Sequence, residues 1–263
     1  MPYRTAPGPR PGLLIVAGLD PSGGAGLIAD VRIADRLGCR PIGVATSLTE
    51  QSTLGVQDAH HTQSHIVASQ LTLVLSDIEV RAVKIGMIAT ARTARDVADA
   101  LSLTDAPVVW DPVLSPSRGG ALYDGDPMDA LVALSSHLAV ITPNLDEAHR
   151  LTGIHVTDEA TAIAAGKQLV NRWVKAALIK GGHGKGAEAV DILVEGDTVH
   201  RLPGLRIPDG TSIHGTGCAL STAIAARLAH GDALVDACRI AKTFVAELLA
   251  SPVDAGRGDR SVL

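Results

Sequence analysis

Short apolar runs alternate with amphipathic, helix-spaced stretches along almost the whole chain. Residues 13–18 (LLIVAG) form a continuous apolar run, the pattern of a strand buried on both faces. A turn-rich loop, LDPSGGAG, follows. Then LIADVRIADRLG places apolar residues at Leu27, Val31, Ala34 and Leu37 before Gly38 ends the helix. Strand, Gly-rich loop and helix in that order begin a parallel α/β sheet. The alternation continues. Strands are predicted from Pro41 (PIGVATSL) and over 80–86, 107–110, 139–141 and 176–179; helices are predicted over 64–75, 90–101, 126–136, 158–173, 217–228 and 232–249. Two short strands near Ile192 and His200 read as a hairpin around Glu195-Gly196-Asp197. The expected fold is a doubly wound, mostly parallel sheet with helices on both faces, in one domain over 13–250. Residues 1–12 and 251–263 read as tails, and 115–126 as a flexible loop near the ligand edge. No internal repeat or domain linker interrupts the pattern.

Composition narrows this picture. With 263 residues, 46% hydrophobic and 19% charged, the chain suits one large domain. Aromatic residues are only 2%, so the core must be built from Ala, Val, Leu and Ile. A net charge of −5 argues against nucleic-acid binding. No apolar run approaches a membrane span, and 13–17 is too short for a signal segment. The three cysteines, Cys39, Cys218 and Cys238, match no zinc spacing, and a reduced cytoplasm is the expected setting. His61 and His65 have i, i+4 spacing, but no carboxylate pattern joins them, so a metal reading is weak. Arg257-Gly258-Asp259 matches the tripeptide of adhesion ligands, a chance match by default.

The polar and Gly-rich clusters fall at the carboxyl ends of predicted strands, the edge where such sheets bind ligands. G-x-x-x-x-G-K-[ST] is absent, and G-x-G-x-x-G is absent after the first strand, which excludes a P-loop and the usual dinucleotide site. The strongest anion signal is DGTSIHGTGCALSTAIAARLAH from 209. There Gly215, Thr216 and Gly217 lead into a long Ala-rich helix whose first N–H groups are unpaired. Cys218 falls in its first turn, where a thiol's pKa is expected to drop and make a base or nucleophile; a buried structural thiol is the plainer alternative. Asn144 and Glu147 have the spacing of a helix capping box. Asp111 ends a strand, and Lys180 lies beside Gly181 and Gly182.

Six segments occur in this order: AGLDPSGGAGLIAD (17–30), KIGMI (84–88), DPVL (111–114), ITPNLDEA (141–148), IKGGH (179–183) and HGTGCALS (214–221). Together they resemble the hydroxymethylpyrimidine/phosphomethylpyrimidine kinases of thiamin biosynthesis, in the ribokinase-like superfamily. The resemblance covers roughly residues 13–250. It implies ATP with Mg²⁺, and phosphorylation of the hydroxymethyl group of 4-amino-5-hydroxymethyl-2-methylpyrimidine, followed by a second phosphorylation to the diphosphate. It implies that Gly18, Asp30 and Gln51 meet the pyrimidine, and that the late Gly-rich loop holds the phosphates. Lys180, Asn144 and Gly182 then serve the nucleotide, Glu147 and Asp111 the Mg²⁺. Gly215, Thr216, Gly217 and Cys218 serve the transfer, with Cys218 where sugar-kinase relatives carry an Asp base. Two departures bear on substrate range: Pro116-Ser117-Arg118-Gly119 replaces the family's Ala-Lys-Ser-Gly, and Ile213 stands where the family has Thr before His-Gly-Thr-Gly-Cys. A pyridoxal or pyridoxine kinase of the same superfamily and a non-catalytic pyrimidine-binding sensor are the rival readings. A homodimer is entertained as the assembly state.

Overall fold

In a computed structural model, described over residues 10–114, 123–182, 188–207, 210 and 213–263, nine strands form a single sheet. They are β1 (Gly12–Leu19), β2 (Arg40–Ser52), β3 (Gly55–His61), β4 (Ala82–Ile85), β5 (Val108–Trp110), β6 (Leu138–Ile141), β7 (Ala176–Ile179), β8 (Asp191–Glu195) and β9 (Thr198–Leu202), in the spatial order β3-β2-β1-β4-β5-β6-β7-β8-β9. The strands from β2 to β7 run parallel; β3, and then β8 against β7 and β9 against β8, pair antiparallel. The helices are α1 (Gly26–Arg36), α2 (Ser64–Asp77), α3 (Ala91–Leu101), α4 (Pro127–Leu134), α5 (Leu145–Thr152), α6 (Glu159–Arg172), α7 (Thr216–Ala229) and α8 (Leu234–Leu249).

The period of two along each strand divides the core into two layers. Leu14 and Val16 of β1 face one layer with α2 to α6, while Leu13, Ile15 and Ala17 face the other with α1, α7 and α8. Helix α7 lies against β1, β4 and β5 and is flanked by α1 and α8. So many neighbours favour small side chains, and five alanines from Ala219 to Ala229 are buried alongside Leu220 and Ile224. Its N-terminus meets the carboxyl ends of β1 and β4. The chain leaves β1 for one side of the sheet and returns to the other side at β4, which is where sheets of this kind open a ligand crevice. Among the described residues, no helix is long and apolar enough to cross a membrane.

Three expectations are corrected. Strand β3 is absent from the sequence reading, because its GVQDAHH residues are polar and half-exposed and give no apolar alternation. It places His61 in a strand and His65 in α2, so the two do not share a helix face; His60 pairs instead with Glu50 at 2.7 Å on the exposed ribbon. The 251–263 segment does not trail free. Ser261 and Val262 are buried, and residues 258–262 are tied to Thr53 and His214 by backbone hydrogen bonds. Gly, Asp and Arg gave this segment the composition of a tail, but its contacts are long-range and made by backbone. Most of the 115–126 loop, with the Pro116 to Gly119 departure, lies outside the described residues, as do residues 1–9.

Candidate active site

A cavity of about 870 Å³ opens along the carboxyl edge of the sheet, within the size range of small-molecule sites. At one end Gly18, Gln51 and Met87 line it; at the centre lie Lys84, Asp111, Lys180 and Cys218; the rest of the lining includes the apolar Leu220, Val245 and Leu249 together with the charged Arg239 and Lys242.

The end beside Gln51 is built by two loops that close on one another. Asp20 anchors the first. Its Oδ1 accepts from the Ser22 amide at 2.8 Å and hydroxyl at 2.7 Å, and its Oδ2 accepts from the Ala25 amide at 3.0 Å. The same Oδ2 lies 3.1 Å from His214 Nε2 in the second loop, which also meets the Gln51 amide nitrogen at 3.1 Å. Burial alone would raise the Asp20 carboxyl, but hydrogen bonds from His214 and Ser22 outweigh it and hold it below the ordinary range. Asp20 and His214 carried no assigned role in the sequence. The signal for Asp20 was its place three residues before the Gly23-Gly24 pair, an Asx-turn pattern.

Helix α7 begins at Gly215, whose φ of +87° favours glycine; a Cβ there would also lie 2.0 Å from the Gly24 carbonyl oxygen. No side chain caps the helix, so its first amides face the cavity unprotected. A Cβ on Gly217 would stand 3.3 Å from Lys180 Nζ and 3.5 Å from Asp111 Oδ2. The helix start and the charged centre therefore share one space.

In that centre Lys180 Nζ donates to Asp111 Oδ1 at 2.7 Å and lies 3.8 Å from Glu147 Oε2. Ser221 Oγ donates to Asp111 Oδ2 at 3.3 Å. Desolvation opposes the Lys180 charge, but Asp111 and Glu147 outweigh it and raise its pKa. Desolvation pushes the Glu147 carboxyl up to about 7, and Asp111 adds to it, against the pull of Lys180. The capping box is present as well. Asn144 Oδ1 accepts from the Glu147 amide at 2.9 Å, and Glu147 Oε2 accepts from the Asn144 amide at 2.7 Å. Capping and cavity lining thus coexist in one pair of residues. At the rim, Asp191 accepts from the Gly181 amide at 2.7 Å and holds Lys242 of α8 at 2.7 Å, fixing the turn that presents Lys180 and Gly182.

Two residues differ from expectation. Asp30 does not stand on the cavity wall. It is 0% exposed, its Oδ2 bound to Lys84 Nζ at 2.5 Å and its Oδ1 to Thr222 Oγ1 at 2.7 Å. Its helix position allowed this, since it shares a face with the buried Ile33 and Ala34. Lys84, inside an apolar strand, was the matching signal. Desolvation opposes the Lys84 charge, but Asp30, Cys218 and Asp111 outweigh it. Removing one member of a buried pair typically costs ~3–5 kcal/mol, because the other is left uncompensated. Asp30→Ala is therefore expected to lose stability of that order in urea unfolding, and Asp30→Ala with Lys84→Met to regain part of it. A loss below ~1 kcal/mol would contradict the pairing.

Cys218 is the second. The sequence reading lowered its pKa through the helix start. Burial instead pushes the thiol up to about 11, with Asp30 and Asp111 adding to it; Lys84 and the Gly26 amide oppose without reversing it. The thiol is protonated at neutral pH.

Comparisons with known proteins agree with this architecture. The family model for phosphomethylpyrimidine kinase matches residues 20–263. The hydroxymethylpyrimidine/phosphomethylpyrimidine kinase of Rhizobium meliloti (strain 1021) is 42% identical over 234 residues, 88% of either chain. Among solved structures, the phosphomethylpyrimidine kinase of Clostridium difficile 630 superposes with a TM-score of 0.79 at 31% identity, over 90% of this chain and 99% of that one. The pyridoxal kinase of Staphylococcus aureus in complex with AMP-PCP superposes with a TM-score of 0.88 at 25% identity, over 97% and 93%. Backbone shape does not separate the two kinase groups: the pyridoxal kinase superposes with the higher TM-score at the lower identity. On the family match and the 42% identity, the chain belongs to the phosphomethylpyrimidine kinase family.

Proposed function

We propose that this kinase transfers the γ-phosphoryl group of ATP to the hydroxymethyl oxygen of 4-amino-5-hydroxymethyl-2-methylpyrimidine, and then a second group to the monophosphate, in thiamin biosynthesis. The observation that carries the reading is the uncapped start of α7 beside Lys180, in one cavity with Gln51. Anion-binding amides, a fixed cation and a polar acceptor end are the parts that phosphoryl transfer needs.

In this reading Gln51 and the backbone at Gly18 orient the ring; a 4-aminopyrimidine offers both a donor and acceptors to an amide. Asp30 acts through Lys84, which it holds charged at the cavity floor. The hydroxymethyl oxygen attacks the γ-phosphorus as the bond to the β–γ bridging oxygen breaks, and ADP leaves with that electron pair. The amides of Gly215, Thr216, Gly217 and Cys218 stabilise the equatorial oxygens, and Lys180 balances the charge that develops. The Cys218 thiolate, a minor species at neutral pH, accepts the alcohol proton; in a loose transfer this proton departs late. The apolar wall at Leu220, Val245 and Leu249 receives the adenine, with Gly182 and Asn144 toward the phosphates.

Asp111 and Glu147 suit Mg²⁺: they are hard oxygen donors on the cavity wall, and Glu147 is short of positive charge. When bound with ATP, the ion would neutralise phosphate charge there. A cytoplasmic setting agrees with three free cysteines. The test is phosphoryl transfer from ATP to the pyrimidine alcohol, run in parallel with pyridoxal.

A further inference from the structure

We propose that residues 256–262 form a brace that locks the acceptor side of the active site to its phosphoryl side. The inference rests on the proposed function for the meaning of those two sides, but its geometry stands alone.

The brace grips two points. At the first, the Gly258 amide donates to Thr53 Oγ1 at 3.1 Å and the Asp259 amide to the Thr53 carbonyl at 2.8 Å. Thr53 lies two residues beyond Gln51, in the turn between β2 and β3. At the second, the His214 amide donates to the Arg260 carbonyl at 2.8 Å, and the Val262 amide to the His214 carbonyl at 3.2 Å. His214 is the residue before the Gly215 cap of α7, and its ring is what Gln51 and Asp20 meet. Each grip therefore lies one or two residues from a group placed in the site.

The segment is built to hold. Val253 and Ser261 exchange backbone hydrogen bonds at 2.8 and 3.0 Å, turning the chain back after α8. Val262 is 2% exposed and packs into the layer that contains α7. The approach to Thr53 is so close that a Cβ on Gly258 would stand 1.8 Å from the Thr53 carbonyl oxygen, where no side chain fits. This accounts for the glycine of Arg257-Gly258-Asp259 without adhesion: its backbone is pressed against the hairpin turn. Because all four hydrogen bonds of the two grips use backbone of the brace, the chain path carries the function.

The test is Gly258→Val, with Thr53→Ala as a milder variant that removes only the hydroxyl acceptor. Misplacing an acceptor costs up to about 10²-fold. Gly258→Val is expected to raise the pyrimidine KM about tenfold or more with the KM for ATP within about threefold, and to speed hydrogen exchange at the His214 amide. Thr53→Ala should shift the same two quantities less, and it decides the matter if Gly258→Val does not fold. Faster exchange at His214 with an unchanged pyrimidine KM would overturn the proposal, as would an equal rise in both KM values. If the wild type phosphorylates no pyrimidine, the functional reading fails, and the exchange data still judge the mechanical link.

Discussion

Lys180→Met is expected to lower kcat about 10²–10³-fold, the usual loss for one preorganised group that stabilises transition-state charge. Lys180 stands beside the start of α7, 3.3 Å from the place a Gly217 Cβ would occupy, and among the described residues it is the cation between Asp111 and Glu147. Without it two carboxylates face each other, and Glu147, already at about 7, moves higher. Binding of ATP should weaken with the rate. Stability should fall too, so a melting curve must accompany the kinetics. Lys180→Arg provides the control: it restores the charge and much of the stability, but a planar guanidinium cannot reproduce the ammonium's position, so the rate should stay depressed. Normal turnover in folded Lys180→Met would reduce Lys180 to a structural counter-charge.

Cys218→Ala is expected to lose about 10²–10⁴-fold in kcat, the range of general-base help. The pH profile separates this role from packing. With a thiol near 11, the thiolate fraction climbs about tenfold per pH unit below that value. The Glu147 carboxyl, pushed up to about 7, is mostly ionised over the interval above pH 8. Between pH 8 and 10, log kcat of the wild type should therefore rise with pH, and that of Cys218→Ala should be flat. A flat wild-type profile over this interval, or wild-type turnover in Cys218→Ala, would remove the thiol from the chemistry and leave its amide alone.

The legibility of this fold tracks burial. Strands β1, β6 and β7 are covered on both faces and show as unbroken apolar runs, β4 is apolar but for Lys84, and β3 is exposed and polar and shows as nothing. Site residues at strand ends were legible for the same reason: Asp111 and Lys180 follow apolar runs directly. Pairings distant in sequence were not. Asp30 meets Lys84 across 54 positions and His214 meets Asp20 across 194, and no local pattern records either distance. The thiol of Cys218 shows the limit of a local rule, since the helix start would lower its pKa, and burial beside two carboxylates raises it. The 256–262 segment shows the limit of composition, because backbone grips leave almost no trace in side-chain chemistry.

The most direct test of the account is the product formed from ATP, Mg²⁺ and 4-amino-5-hydroxymethyl-2-methylpyrimidine by the purified chain, resolved by phosphorus NMR. The account predicts a pyrimidine monophosphate that appears first and is then converted to the diphosphate, with ADP released at each step and with kcat/KM for the pyrimidine above that for pyridoxal. ATP consumed only with pyridoxal, or no phosphorylated pyrimidine at all, would contradict it.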